Sequence, residues 1–222
     1  MHRYHLRILR FICLSGIALC LAVVGWGAGC SKGVIDRGKR WTCYRDADDA
    51  MLRQDHETGI LLHQQFLEKE PENGLALYHL GYAYGQTGDH LKEVLYYEKA
   101  IALGFKKNRI FFNLGMAYGE LNQIEKSIGT FRMALDVNPD NADNHFWLAM
   151  AYQKNFADKL AEKELLKAVK IDPEHVNARL YLSMLYADRG DLQKAAEQLR
   201  KILEIDPDHG MAREFLESIE TE

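Results

Sequence analysis

Apolar positions along this chain recur with a long period before they show a short one. Leu80, Leu114, Leu148 and Leu182 are spaced by 34 residues, and so are Tyr84, Tyr118, Tyr152 and Tyr186. Tyr97, Phe131, Leu165 and Leu199 form a third series, and Ala100, Ala134, Ala168 and Ile202 a fourth. The prolines keep the same step. Pro139, Pro173 and Pro207 are 34 apart, and Pro71 precedes Pro139 by twice that interval. Few breakers and many long-chain residues favour helices over strands, and no alternating apolar/polar run continues beyond Leu75. Each period is therefore expected to be helical. Gly81, Gly115, Ala149 and Ser183 are small enough to let the two helices of one copy approach closely. Gly88 and Gly190 suit the left-handed conformation that ends a helix. Asp89 and Asp191 are placed to cap the helix that follows. Proline stops the second helix. No copy buries its apolar face alone, so neighbouring copies are expected to stack on a shared core.

This period and these residues resemble the tetratricopeptide repeat. The copies run over 74–107, 108–141, 142–175 and 176–209. The first shows Leu80-Gly81, Tyr84, Gly88-Asp89, Tyr97 and Ala100, with Glu93 where the family has Ala and Phe105 where it has Pro. The second shows Leu114-Gly115, Tyr118, Phe131, Ala134 and Pro139, with Asn122 at the turn. The third shows Leu148-Ala149, Tyr152, Ala161, Ala168 and Pro173, and its turn, Asn155-Phe156-Ala157-Asp158, lacks glycine. The fourth shows Leu182-Ser183, Tyr186, Gly190-Asp191, Ala195 and Pro207. The resemblance implies an all-α fold, a right-handed α-solenoid of about four helix-turn-helix repeats. Residues 46–73 read as a degenerate repeat before these, with Ile60, Leu61, Phe66 and Leu67 apolar. Residues 210–222 read as a capping helix carrying Met211, Phe215, Leu216 and Ile219.

The N-terminus follows a different pattern. Residues 1–10 carry Arg3, Arg7 and Arg10, and Phe11 to Ala28 contain no charge. A basic flank, an apolar run and small residues form a secretory signal, and eighteen uncharged residues also just suffice to cross a bilayer. Gly27-Ala28-Gly29-Cys30 resembles the end of a bacterial lipoprotein signal peptide, whose cysteine is acylated, although Gly27 stands where that family has Leu. Residues 1–29 are thus a signal peptide or membrane anchor, with lipidation at Cys30, an uncleaved anchor and ordinary cleavage all compatible with the sequence. In each case the body is exported. The resemblance places it on the periplasmic face of a bacterial envelope. Residues 30–45 read as a basic tether. Cys43 is left as an unpaired thiol if Cys30 is acylated, and as a disulfide partner of Cys30 if it is not.

Charge narrows the function. The chain has 28 basic and 32 acidic residues. Without the three N-terminal arginines, 25 basic residues face 32 acids, a net −7. A mildly acidic body with no basic stripe argues against nucleic acid. No metalloprotease, nucleophile-elbow, phosphate-loop or paired-cysteine motif is present, so neither an enzyme nor a cofactor is expected. His56 and His63 stand seven apart on a predicted helix without further ligands in view, and no metal is expected there. His175 and His209 share one repeat position.

The family resemblance places the fifth and ninth residues of each copy on the concave groove. These are Tyr78 and Tyr82, Phe112 and Met116, Phe146 and Met150, Leu180 and Met184. All are apolar or aromatic, which suits an amphipathic helix or an extended apolar peptide, and methionine adapts to varied ligands. Helical stripes of this kind also occur as core. Of the lysine, asparagine and arginine with which chaperone-binding members grip a carboxylate, only Asn113 has a counterpart. Tyr78, Asp143 and Trp147 occupy the other positions. The sequence thus implies a membrane-anchored scaffold or adaptor for a protein or peptide partner, with self-association as the alternative. Asp158 to Ala168 also resembles a helix of type IV pilus pilotin lipoproteins, which offers assembly of an envelope complex as a narrower reading.

Overall fold

The computed structural model describes residues 34–36, 39–41 and 44–221. The signal or anchor segment, Cys30 and Cys43 lie outside the described residues. Among the described residues the chain forms eleven helices: α1 (Arg45–Leu52), α2 (His56–Lys69), α3 (Gly74–Gln86), α4 (His90–Ala102), α5 (Asn108–Glu120), α6 (Ile124–Val137), α7 (Ala142–Lys154), α8 (Asp158–Ile171), α9 (Val176–Asp188), α10 (Leu192–Ile205) and α11 (Gly210–Glu220). None of them is long and apolar enough to cross a membrane. Two three-residue strands precede α1. These are β1 (Val34–Asp36) and β2 (Lys39–Trp41), antiparallel with Val34 opposite Trp41. That hairpin falls where a plain tether was expected. The β-branched and aromatic residues Val34, Ile35 and Trp41 are strand formers.

The helices keep the sequence period. The first helix of each pair ends at Leu52, Gln86, Glu120, Lys154 and Asp188, and the second begins at His56, His90, Ile124, Asp158 and Leu192. Both series step by 34. The degenerate repeat is therefore a complete helix pair in register, with a first helix of only 8 residues. Helix α11 starts 34 residues after α9 and is the first helix of a sixth copy.

The turn within each pair explains this regularity. At each of these turns one residue has positive φ: Gln54 (61°), Gly88 (80°), Asn122 (55°), Phe156 (56°) and Gly190 (81°). Its N–H and that of the next residue bond back to the end of the first helix. In the first full copy these bonds are Gly88 N to Gly85 O at 3.1 Å and Asp89 N to Tyr84 O at 2.9 Å, and each of the other four turns repeats them. Such paired bonds satisfy carbonyls the helix end would otherwise leave open. They act wherever the backbone reaches that conformation, so a glycine at the turn is helpful and not essential. Asp55 and Asp89 cap the second helices through Thr58 N and Lys92 N. Asp191 was expected to do the same and makes no such bond; its carboxylate lies 3.1 Å from Lys194 Nζ.

Between pairs, Asn73, Asn141, His175 and His209 cap α3, α7, α9 and α11 through side-chain acceptors. This accounts for the repeated histidine. Pro71, Pro139, Pro173 and Pro207 each follow a helix end by two residues. The copy without proline stops α4 with Gly104 at φ 98° and turns Phe105 inward, where it is 1% exposed.

The chain divides into one compact unit over Cys30–Ala178 and another containing Arg179–Glu222. In the first, each helix from α1 to α7 packs on the next. Leu80, Leu114, Leu148, Tyr97, Phe131, Leu165, Ala100, Ala134 and Ala168 are all buried. A Cβ built on Gly81 would lie 2.7 Å from Tyr97 Cδ1, and one on Gly115 would lie 3.0 Å from Phe131 Cε1. Hydrogen bonds also join adjacent copies: Gln64 Nε2 donates to Tyr84 Oη, Tyr118 Oη to Glu98, and Arg132 to Tyr152 Oη. In the C-terminal unit Leu182, Ser183, Leu199 and Ile202 are buried. Helix α11 packs on α10 through buried Ala212 and Phe215, with Arg200 2.7 Å from Glu220.

Phe156 is 94% exposed on its left-handed turn, and nothing in the structure explains a phenylalanine there. A non-glycine residue in that conformation costs about 1–2 kcal/mol. Phe156→Gly should therefore raise the unfolding free energy by about 1 kcal/mol, and Gly190→Ala should lower it by a similar amount, both read from urea denaturation.

Candidate functional site

Helices α3, α5 and α7 are the first helices of successive pairs in the Cys30–Ala178 unit. The groove residues expected on them form two neighbouring groups. In the first, the Tyr78 ring stacks on Phe105 at 5.1 Å and lies 5.8 Å from Tyr97. Burial pushes the Tyr78 hydroxyl up to about 12, against an opposing effect from Arg109 and Asn113, which hydrogen-bond to it. Burial likewise raises Tyr82. Asn113 Nδ2 also donates to Tyr97 Oη at 3.2 Å. Asn113, which matched a carboxylate-clamp position, is thus bonded to tyrosine hydroxyls.

The second group borders an open cleft. Phe112, Met116 and Met150 are half-buried. The Phe112 ring meets Phe131 at 6.0 Å and Trp147 at 6.5 Å, both edge-on. Edge-to-face contacts of this length are favourable. Phe146 differs. It is 5% exposed and packs on Trp147 and His175 at 5.2 Å each. Leu180 and Met184 belong to the C-terminal unit, where Leu180 is buried and Met184 half-buried.

Trp147 was considered only as a departure from the carboxylate clamp, and the structure makes it part of this surface. It is half-buried and, with Met116, Met150, Ala151, Gly115, Gly119 and Phe131, lines an open cleft of about 50 Å³ with Glu120 and Lys154 also on its wall. The available signal was its place three residues before Met150, on the same helical face. A cleft this small does not hold a cofactor or drug-sized ligand, which needs roughly 300–1,000 Å³. It can receive the tip of one side chain from a larger partner.

A third cluster arose without a sequence signal. His63 on α2 has no co-ligand near it in sequence, but packing brings Asp48 of α1 and His79 of α3 beside it, with His63 the most deeply buried of the three. His79 Nδ1 lies 2.6 Å from Asp48 Oδ1, and His63 Nε2 lies 3.6 Å from the same oxygen. Burial first, then neighbouring His79, holds the His63 imidazole down at about 3, against the opposing Asp48 carboxylate. It is therefore neutral at physiological pH. The neighbours that the sequence did not show beside His63 come from the helices before and after its own. His56 is not among them, and its ring lies 6.4 Å from Tyr82.

Three family models match the sequence: two described as tetratricopeptide repeat, over residues 157–219 and 75–103, and one as TPR repeat, over residues 115–155. Together they take in more than half of the chain. The chain belongs to the tetratricopeptide-repeat family. No curated protein matches the sequence. Among solved structures, the tetratricopeptide chain is similar to MamA (21% identity, TM-score 0.70, covering 72% of this chain and 94% of that one). It is also similar to MamA 41-end from Desulfovibrio magneticus RS-1 (19% identity, TM-score 0.70, 75% and 94%). A third is YrrB, described as a TPR protein with an unusual peptide-binding site (22% identity, TM-score 0.68, 77% and 88%). At these identities the likeness is one of fold, an all-α tetratricopeptide architecture.

The different settings of Phe146 and Met150 predict different costs of truncation. Phe146→Ala removes a buried ring and should lower stability by about 3–5 kcal/mol. Met150→Ala empties a half-exposed position and should cost about 1 kcal/mol. Thermal and urea denaturation of the two variants check this.

Proposed function

We propose that this tetratricopeptide chain is a membrane-anchored adaptor that docks an apolar segment of a partner protein on the first helices of its repeats. The observation that carries this reading is the surface formed by half-buried Met116, Trp147 and Met150 on the wall of an open cleft, with half-buried Phe112 edge-on to Trp147. Partial burial of large apolar groups beside a cleft too small for a cofactor fits a protein partner better than a metabolite. Two methionines at the cleft let the surface adapt to the side chain it receives. The peptide-binding site named for YrrB, on a similar fold, agrees with this use of the architecture.

Anchoring is supported by the sequence: three N-terminal arginines, eighteen uncharged residues and the lipoprotein-like Gly27-Ala28-Gly29-Cys30. In this reading Cys30 is acylated and the repeats face the periplasm of a bacterial envelope, where the adaptor serves assembly of an envelope complex.

A photo-reactive amino acid at Met150 tests both parts in membranes of the native host. The expected result is a discrete crosslinked partner in the membrane fraction, lost in Trp147→Ala while helicity is unchanged, and release from that fraction in Cys30→Ala. A crosslink insensitive to Trp147→Ala would refute the docking surface. A crosslink only to a second copy of this chain would replace the adaptor by a self-associating structural protein. Unchanged membrane retention of Cys30→Ala would refute lipid anchoring at that residue.

A further inference from the structure

We propose that Asp48, His63 and His79 form a structural site for a divalent first-row transition metal, with Zn²⁺ the ion best suited to it, that fastens the N-terminal repeat. Two imidazoles and one carboxylate are a donor set that zinc takes in three-ligand sites, with water completing the coordination. The three donor atoms lie within 4.8 Å of one another, and the two contacts to Asp48 Oδ1 are 2.6 and 3.6 Å. Donors about 2.0–2.2 Å from a tetrahedral ion stand roughly 3.4 Å apart, so the observed separations bracket those needed. Side-chain adjustments of less than about an ångström would seat the ion.

A second observation points to a ligand. His63 is 1% exposed, and neither of its ring nitrogens has a hydrogen-bond partner. Buried polar atoms are nearly always bonded, and an exception calls for an explanation such as an ion. A metal on His63 Nε2, the ring nitrogen that lies 3.6 Å from Asp48 Oδ1, supplies one.

The placement suggests the role. Each ligand comes from a different helix, Asp48 from α1, His63 from α2 and His79 from α3. Helix α1 has only 8 residues, against 13 in α3, and its side-chain N-cap bond is missing. Terminal repeats cover a core on one side only. A bond from Asp48 through the ion to α2 and α3 holds that short helix on the stack, and metal binding of this kind couples to folding. This proposal is independent of the docking surface on α5 and α7.

The test uses the full chain in detergent, stripped with chelator and titrated with Zn²⁺ by calorimetry. Co²⁺ absorption and ¹⁵N-histidine spectra of the wild type accompany it. The expected result is one equivalent bound with Kd on the order of 1 μM or tighter, a higher Tm with Zn²⁺, and ring shifts confined to two histidines. His63→Gln and Asp48→Asn should each weaken binding by at least about 100-fold, since even supporting residues of metal sites contribute 10–100-fold. Absence of saturable binding would overturn the proposal. So would binding unaffected by either substitution, or wild-type ring shifts spread over the remaining histidines, which would mean surface histidines only. The wild-type spectra decide the matter even if a variant fails to fold.

Discussion

Everything in this fold depends on how closely the two helices of a copy can approach. The first helix presents one small residue, Gly81, Gly115, Ala149 or Ser183, in register with a large one on the second helix, Tyr97, Phe131, Leu165 or Leu199. All eight are buried. Where the large residue is aromatic the small one is glycine, and where it is leucine the small one carries a Cβ. The built Cβ positions give the reason in the aromatic copies. At Gly81 it would collide with Tyr97, and at Gly115 it would press on Phe131. Close-packed interiors have no slack for such an atom. With this contact set, the turn, the caps and the stacking of adjacent copies follow at the same 34-residue step.

That contact also determines what remains for function. The large residues of the second helices fill the interior. The fifth and ninth residues of the first helices are left to pack sideways on their neighbours or to face outward. Tyr78 and Phe146 pack: Tyr78 lies on Phe105, and Phe146 lies between Trp147 and His175. Phe112, Met116 and Met150 stay half-buried, the two methionines on the wall of the cleft. One repeat position therefore serves both purposes, because the adjoining residues differ from copy to copy. In the first copy Phe105 turns inward where other copies have proline, and it brings its ring onto Tyr78.

Most of the fold was legible because it is written four times. Period, prolines, small residues and turn glycines agree, and the register extended to α1 and α2, where sequence likeness is weak. The left-handed turns at Gln54, Asn122 and Phe156 were harder to read. Their paired backbone bonds repeat in every copy, while the side chain that would announce them does not. The site was legible as positions and not as environments. A sequence spacing identifies a helical face, but the burial of Phe146 and the inclusion of Trp147 depend on rings from neighbouring helices. The Asp48–His63–His79 cluster left no trace in the sequence, since its members are separated by 15 and 16 residues on three helices.

The chain itself supplies the material for a direct test of the helix-contact account. Gly81→Ala and Tyr97→Leu together give the first copy the pair found in the third. A double-mutant cycle, read as unfolding free energy in urea, measures the coupling between them. The account predicts that Gly81→Ala lowers stability by about 1–3 kcal/mol beside the native tyrosine, and that this cost vanishes or reverses once Tyr97→Leu is present, a coupling of at least about 1 kcal/mol. Additive effects, with Gly81→Ala costing the same in both backgrounds, would contradict it.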